Sequence, residues 1–144
     1  MAASIQALFL SGRYRSERLR RHWSVVNRNG FCLNNDCFHL KYVEDIYHIL
    51  LSCPAYTNER RRLLQLSPKM SREFPLIKPI MDAYLNIGDC DLKLQFLLDC
   101  STLPLVIHSQ QNFGFGPLCY LFRFTRTWCW NIHKSRMKML NRPH

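Results

Sequence analysis

A chain of 144 residues, 47% hydrophobic and 21% charged, has the composition of one globular domain, or of one domain with a small appended module. It carries no low-complexity tract and no internal repeat, and its longest apolar runs, "ILL" (49–51) and "LPLVI" (103–107), are far too short for a membrane span. The net charge of +10 points to a polyanionic partner, most simply nucleic acid; neither a membrane nor a small-molecule substrate is expected.

That charge is uneven. Residues 1–29 hold six Arg against one Glu, net +5. Residues 30–56 are net −2, 57–73 net +3, 74–112 net −2, and 113–144, with six basic residues and no acid, net +6. The chain accordingly divides into a basic N-terminal segment (1–29), a cysteine-bearing segment with the helix after it (30–66), and a helical C-terminal part (67–144), expected to form one compact unit.

In chain order, residues 3–22 read as a helix followed by a basic turn or second helical piece. Ala7, Leu8 and Leu10 are free to pack, whereas Arg13, Arg15, Arg18, Arg20 and Arg21 cannot all be buried. The start "MAASIQALFLSGRYR" has an apolar patch but no leading positive charge, so no signal peptide is expected. An intracellular setting, nucleus or cytoplasm, follows, and in a reducing compartment clustered cysteines are more often metal ligands than disulfides. "NRNG" (27–30) is turn chemistry. In "VEDIYHILLSC" the apolar residues Val43, Ile46, Ile49 and Leu50 recur at helical spacing, and Glu44 and Asp45 suit a helix N-terminus. Pro54 breaks this helix from the next, "AYTNERRRLLQL" (55–66), whose cap is expected near Thr57 or Asn58.

Helices are expected again over 76–86 and 92–111, with Leu92, Phe96, Leu97 and Cys100 on one stripe. "GFGP" (114–117) reads as a helix-entry turn, too short for a phosphate-cradling loop. The last helix, from about Pro117 to Leu140, is amphipathic. Leu118, Leu121, Phe122, Thr125, Trp128, Cys129, Ile132, Met139 and Leu140 share one face; Arg123, Arg126, Trp130, His133, Lys134 and Lys138 share the other. Sparse β-branched residues and no sustained alternation complete a mainly α reading: a small helical domain with an embedded knuckle and a long amphipathic C-terminal helix.

The cysteines carry the chemistry. Cys32-x4-Cys37-x10-His48-x4-Cys53 places two ligands across a turn ("LNND") and two more at or beyond a helix end, a pattern that lets a short segment surround one tetrahedral ion. Three thiolates and an imidazole suit zinc, a borderline-soft ion, and four protein ligands close the site, which fits a structural ion rather than a catalytic one. His39, two residues after Cys37, is a rival imidazole. The competing reading is that these are small buried hydrophobes, and so Cys90, Cys100, Cys119 and Cys129 are read, as core residues too widely spaced for a knuckle. Cys129 with His133 is a catalytic pair in name only, since the helical wheel assigns Cys129 to the apolar face and His133 to the basic one.

These blocks, in order, resemble a known family. "LSGRYRSERLRRHWS" (10–24), "GFCLNNDC" (30–37), "VEDIYHILLSCPAYTNERRRLL" (43–64), "LQFLLDCS" (94–101) and "TRTWCWNIHKSRMKML" (125–140) are similar to the C-terminal zinc-binding region of reverse transcriptases from non-LTR (LINE-like) retrotransposons. The resemblance implies Cys32, Cys37, His48 and Cys53 as zinc ligands, RNA or DNA as partner, and a polymerase domain that this region serves, here in trans if at all. The polymerase itself is not legible: there is no Asp-Asp pair, "DCD" (89–91) lacks a strand around it, and no endonuclease constellation appears. The chain therefore reads as a non-enzymatic piece that follows a polymerase, whether a gene fragment, a retroelement remnant or the product of an internal start.

For nucleic acid the candidate contacts are Arg13, Arg15, Arg18, Arg20 and Arg21, interleaved with Tyr14 and Trp23; Arg60, Arg61 and Arg62 after the knuckle; and Arg123, Arg126, Trp130 and Lys134 on the last helix. Arginine meets phosphate and aromatic rings stack on unpaired bases. The plainer reading of each cluster is a solvated helix face. The alternative function is an interaction module that packs against a polymerase domain.

Overall fold

The computed structural model describes residues 2–14, 30–65, 72, 75, 77–86 and 89–140. Among them the fold is mainly α, and the only extended pairing is an isolated antiparallel bridge between Phe31 and Val43.

Helix α1 (Ala2–Leu10) ends on Gly12, whose φ of 72° sits in the left-handed region open to glycine. There the N–H of Gly12 donates to Phe9 O and that of Arg13 to Leu8 O, which satisfies the last carbonyls in a Schellman motif. The face that packs is not the one expected. Phe9 enters the core, while Ala7, Leu8 and Leu10 stay exposed. Gln6 fixes this rotation: its side-chain amide donates to Leu97 O (2.7 Å) and to Thr125 Oγ1 (3.0 Å).

Helix α2 (Asn35–His39) is a single turn inside the cysteine segment, followed by a π-helical turn (His48–Ser52), a 3-10 turn (Pro54–Tyr56) and α3 (Thr57–Leu63). Helical backbone begins only at Ile46, because Val43 is drawn into the bridge with Phe31. Nor does Thr57 or Asn58 cap α3: the 3-10 turn runs directly into it, and its start has no side-chain cap. Helix α4 (Ile77–Met81) continues into a second π-turn (Asp82–Asn86). Helix α5 (Cys90–Leu98) is capped by Asp89, whose carboxylate accepts from Leu92 N at 2.9 Å. A 3-10 turn (Cys100–Thr102) leads to α6 (Pro104–Phe113), which stops at Gly114, φ 78°.

Helix α7 (Phe115–Leu140) has 26 residues. At 1.5 Å per residue it is about 39 Å long, and it is the element against which α1, α3, α5, α6 and the first π-turn all pack. Leu118, Leu121, Thr125, Trp128, Cys129 and Ile132 are buried as expected; Phe122, Met139 and Leu140 are only half-buried, and Phe124 takes a core position instead, its ring against Phe96 and Trp128. Of the four cysteines read as core, Cys100 and Cys129 are buried, but Cys90 and Cys119 are exposed, because their positions on α5 and α7 face away from the packed stripes. One core contains residues from all three charge-defined segments, Phe9 and Tyr14, Cys32 to Tyr56, and Ile77 to Ile132. No helix is long and apolar enough to cross a membrane among the described residues.

Candidate metal centre

The backbone from Gly30 to Glu44 folds back on itself. Glu44 N donates to Gly30 O (3.0 Å), Cys32 N to Tyr42 O (2.9 Å) and Tyr42 N to Cys37 O (3.0 Å). Lys41 makes the reversal in the left-handed region, φ 61°. This closed loop turns Cys32, from the outgoing arm, and Cys37, from α2, to the same interior point, and both are fully buried.

The other two ligands come from the π-turn. In a regular α-helix, residues five apart point about 140° away from each other. Here Cys53 N bonds His48 O at 2.7 Å, the i→i−5 bond of a π-turn, and the widened turn brings Cys53 round to the side of His48. Asp45 anchors the start of the turn by accepting from His48 N at 2.8 Å. The expectation that Glu44 and Asp45 both serve this N-terminus holds for Asp45 only; Glu44 is committed elsewhere, as described below.

Cys32, Cys37, His48 and Cys53 thus offer four ligand atoms that all lie within 4.8 Å of one another, and all four residues are buried. The Cys53 sulfur is 3.8 Å from that of Cys32 and 3.9 Å from that of Cys37. Such separations are far beyond a disulfide bond, and close to the edge of about 3.8 Å that a tetrahedron of thiolates has when each sits about 2.3 Å from a central ion. His48 Nε2 is buried without a hydrogen-bond partner, while its Nδ1 has the Ser52 hydroxyl at 3.4 Å. An imidazole held at one nitrogen and left free at the other is arranged as metal-binding histidines are. The Cys3His group therefore can hold a metal ion. His39, the rival imidazole, is exposed on α2 and lies outside the cluster.

Electrostatics within the cluster fit the same role. The Cys32 thiol is pushed down to about 4, chiefly by its hydrogen bond with Cys53. Cys37 is pushed up to about 11 by burial, and Cys53 is raised far above the ordinary thiol range by its hydrogen bond with Cys32. Three sulfurs this close cannot all ionise unaided; a bound cation supplies the charge that lets them.

The surroundings hold a residue that the sequence pattern did not single out, Arg136. Arg136, on α7, is 1% exposed and forms a two-point ion pair with Glu44, 0% exposed: Nη2 to Oε1 at 2.7 Å and Nε to Oε2 at 3.3 Å. Trp128 Nε1 donates to Leu50 O in the π-turn at 3.2 Å. Together these tie the loop and the π-turn to the long helix. Beneath Arg136 lies the Tyr14 ring, 5.5 Å away, stacked on Phe9 and hydrogen-bonded through its hydroxyl to His133 Nδ1 at 2.8 Å. Tyr14 is therefore a core residue and not a stacking platform for bases, and His133, assigned to the outer basic face, is half-buried against it.

The candidate nucleic-acid contacts separate into groups. Arg13, Arg61, Arg62, Arg123, Arg126 and Lys134 are exposed and Trp130 is half-buried; Arg62 spends its guanidinium on Glu59 at 2.8 Å. Arg60 turns inward and donates to Cys53 O, so it braces the end of the π-turn. Arg15, Arg18, Arg20, Arg21 and Trp23 lie outside the described residues.

No protein-family model, curated protein or solved structure matches the chain.

Proposed function

We propose that Cys32, Cys37, His48 and Cys53 hold a structural zinc ion, and that the helical unit assembled around it is a nucleic-acid-binding module of the kind the sequence resembles, the region following the polymerase in LINE-like reverse transcriptases. The observation that carries the metal is the buried, unpartnered Nε2 of His48 in a group of four ligand atoms within 4.8 Å of one another, with Cys53 at tetrahedral separations from Cys32 and Cys37. Zinc suits a donor set of three thiolates and an imidazole, and with four protein ligands it keeps no open position for water, so its role is to hold backbone in place. The test is metal analysis of the purified chain. A single zinc per chain is expected, retained in His39→Ala and lost in Cys32→Ser and His48→Ala; a wild-type chain without zinc overturns the reading.

The nucleic-acid part rests on the net charge of +10 and on exposed Arg and Lys beside the centre. Phosphate contacts release counterions, so affinity for an oligonucleotide falls steeply from low to moderate salt; a flat salt response overturns it. A second reading is favoured by one observation. Leu33, Phe38, Leu40, Tyr42 and Val43 are exposed around the cysteine loop, with Leu40 at 64%, which suits packing against a protein such as a polymerase domain in trans. Under that reading the chain self-associates, Phe38→Ser and Leu40→Ser disperse it, and no affinity for RNA or DNA is measured.

A further inference from the structure

Along α7, from the edge of its packed face, where Phe122 touches the core, round to its outer face, Phe122, Arg126, Trp130, Lys134 and Lys138 follow one another at intervals of four residues. Residues four apart on a helix are neighbours on its surface, and here they interact. The Arg126 guanidinium lies over the Phe122 ring, 5.7 Å from its centroid, and the Lys134 ammonium lies over the Trp130 indole, also at 5.7 Å. The row is a ladder of ring, cation, ring, cation, cation. Arg126, Lys134 and Lys138 are exposed, the two rings are half-buried, and Arg123 lies exposed on the same face. Among the described residues no carboxylate pairs with any of these four cations, and α7 itself contains no Asp or Glu.

We infer that this ladder is the docking surface for a single-stranded polynucleotide, with bases stacked on Trp130 and Phe122 and phosphates held by Arg126, Lys134 and Arg123. The inference rests on the nucleic-acid reading above and narrows it to one face and one form of ligand. Spacing supports it. The two rings are eight residues apart, as are Arg126 and Lys134, about 12 Å along the axis. That interval covers about three to four nucleotides of a stacked strand at about 3.4 Å each. A duplex keeps its base faces stacked on one another and offers the rings nothing, whereas an unpaired strand presents both faces and backbone together. The cations that cover the rings in the free protein sit on flexible, exposed stems, so each can swing to a phosphate and leave its ring to a base. Stacking and phosphate contact both ignore base identity, so little sequence preference is expected.

The test uses the full metal-loaded chain and fluorescently labelled ten-nucleotide single strands, ribose and deoxyribose, beside a duplex of the same sequence, read by anisotropy. Both single strands are expected to bind at least about tenfold more tightly than the duplex, since one stacked base is already an effect of that size; the tighter of the two names the partner. Trp130→Ala removes that preference, and Trp130→Leu, which keeps apolar bulk without a π-face, does the same, while Trp130→Tyr restores it. Arg126→Gln with Lys134→Gln weakens all binding and lowers the salt slope by about two. Equal affinity for single strand and duplex, or single-strand binding indifferent to Trp130→Leu, overturns the ladder while leaving nucleic-acid binding standing. No binding to any of the three overturns both.

Discussion

Arg60, Arg61 and Arg62 are the same letter three times, and the sequence alone assigns them one role. The structure separates them, because a helix turns consecutive residues by about 100°: Arg60 reaches back to the carbonyl of Cys53, Arg62 pairs with Glu59, and Arg61 points to solvent. Arg60→Ala is therefore expected to destabilise the metal-loaded chain by about 1–2 kcal/mol, the range for a charge-assisted bond at a half-buried site, while Arg61→Ala stays within about 0.5 kcal/mol; urea unfolding of the two variants checks this. His133 gives a pH dependence. Burial and the nearby Arg136 charge lower its pKa below the ordinary value of 6.5. The folded state thus favours the neutral ring, whose Nδ1 is free to accept from the Tyr14 hydroxyl. Its contribution is complete above about 6.5 and is lost as pH falls from there through the lowered folded value. Thermal melts at pH 7.5 and 5.5 should differ less in His133→Asn than in the wild type; an unchanged difference removes His133 from the account. The wheel missed this pairing because it places His133 relative to α7 alone and knows nothing of Tyr14, 119 positions earlier.

At the scale of elements, the four members of the Cys3His group were readable from spacing, but the way the chain brings them together was not. Two ligands five residues apart do not share a face of an α-helix; nothing in "HILLSC" announces the π-turn that lets them. Arg136, by contrast, left a signal. Seven residues after Cys129, it falls about 20° from it on the wheel, squarely within the apolar face. An arginine there needs a buried carboxylate, and Glu44 supplies it, so an acid at helix-N-terminal spacing instead locks the cysteine loop to α7. Removing Arg136 takes from the buried Glu44 carboxylate its two-point ion pair. Arg136→Met is expected to cost about 3–5 kcal/mol in chemical denaturation with metal present, and Arg136→Met combined with Glu44→Leu to recover much of that, since apolar pairs often replace buried ion pairs without loss. If the double variant is no better than the single one, the cost lies in packing and not in the lost ion pair.

For the whole molecule, composition and periodicity were enough for a mainly α fold, because helical spacing is a local property. The contacts that make one body of it are not local: Gln6 to Leu97 and Thr125, Tyr14 to His133, Glu44 to Arg136, and Trp128 to Leu50 join positions 78 to 119 residues apart. They all converge on α7 or on the core beside it, so the cysteine loop, the N-terminal helix and the long helix depend on one another. The metal ion proposed for the Cys3His group would therefore act on more than those four residues. Structural zinc contributes on the order of 10 kcal/mol or more to small metal-dependent folds, comparable to the whole stability of an ordinary domain, about 5–15 kcal/mol. Chelation is thus expected to lower the melting midpoint by on the order of 30 °C, enough to unfold a domain of ordinary stability. The shared contacts also predict its form. On the zinc reading, removing the ion unties Cys53 and His48 across the π-turn, so Leu50 O is expected to release the Trp128 indole and the Glu44–Arg136 pair to lose the loop that positions it. The near-ultraviolet signal of Trp128, isolated by comparison with Trp128→Phe, should disappear together with far-ultraviolet helicity in one transition. A chelated chain that keeps the Trp128 signal and its helices while releasing zinc would show that the loop is a separate unit, and that the ion pair and the indole bond are not enough to make it part of the core.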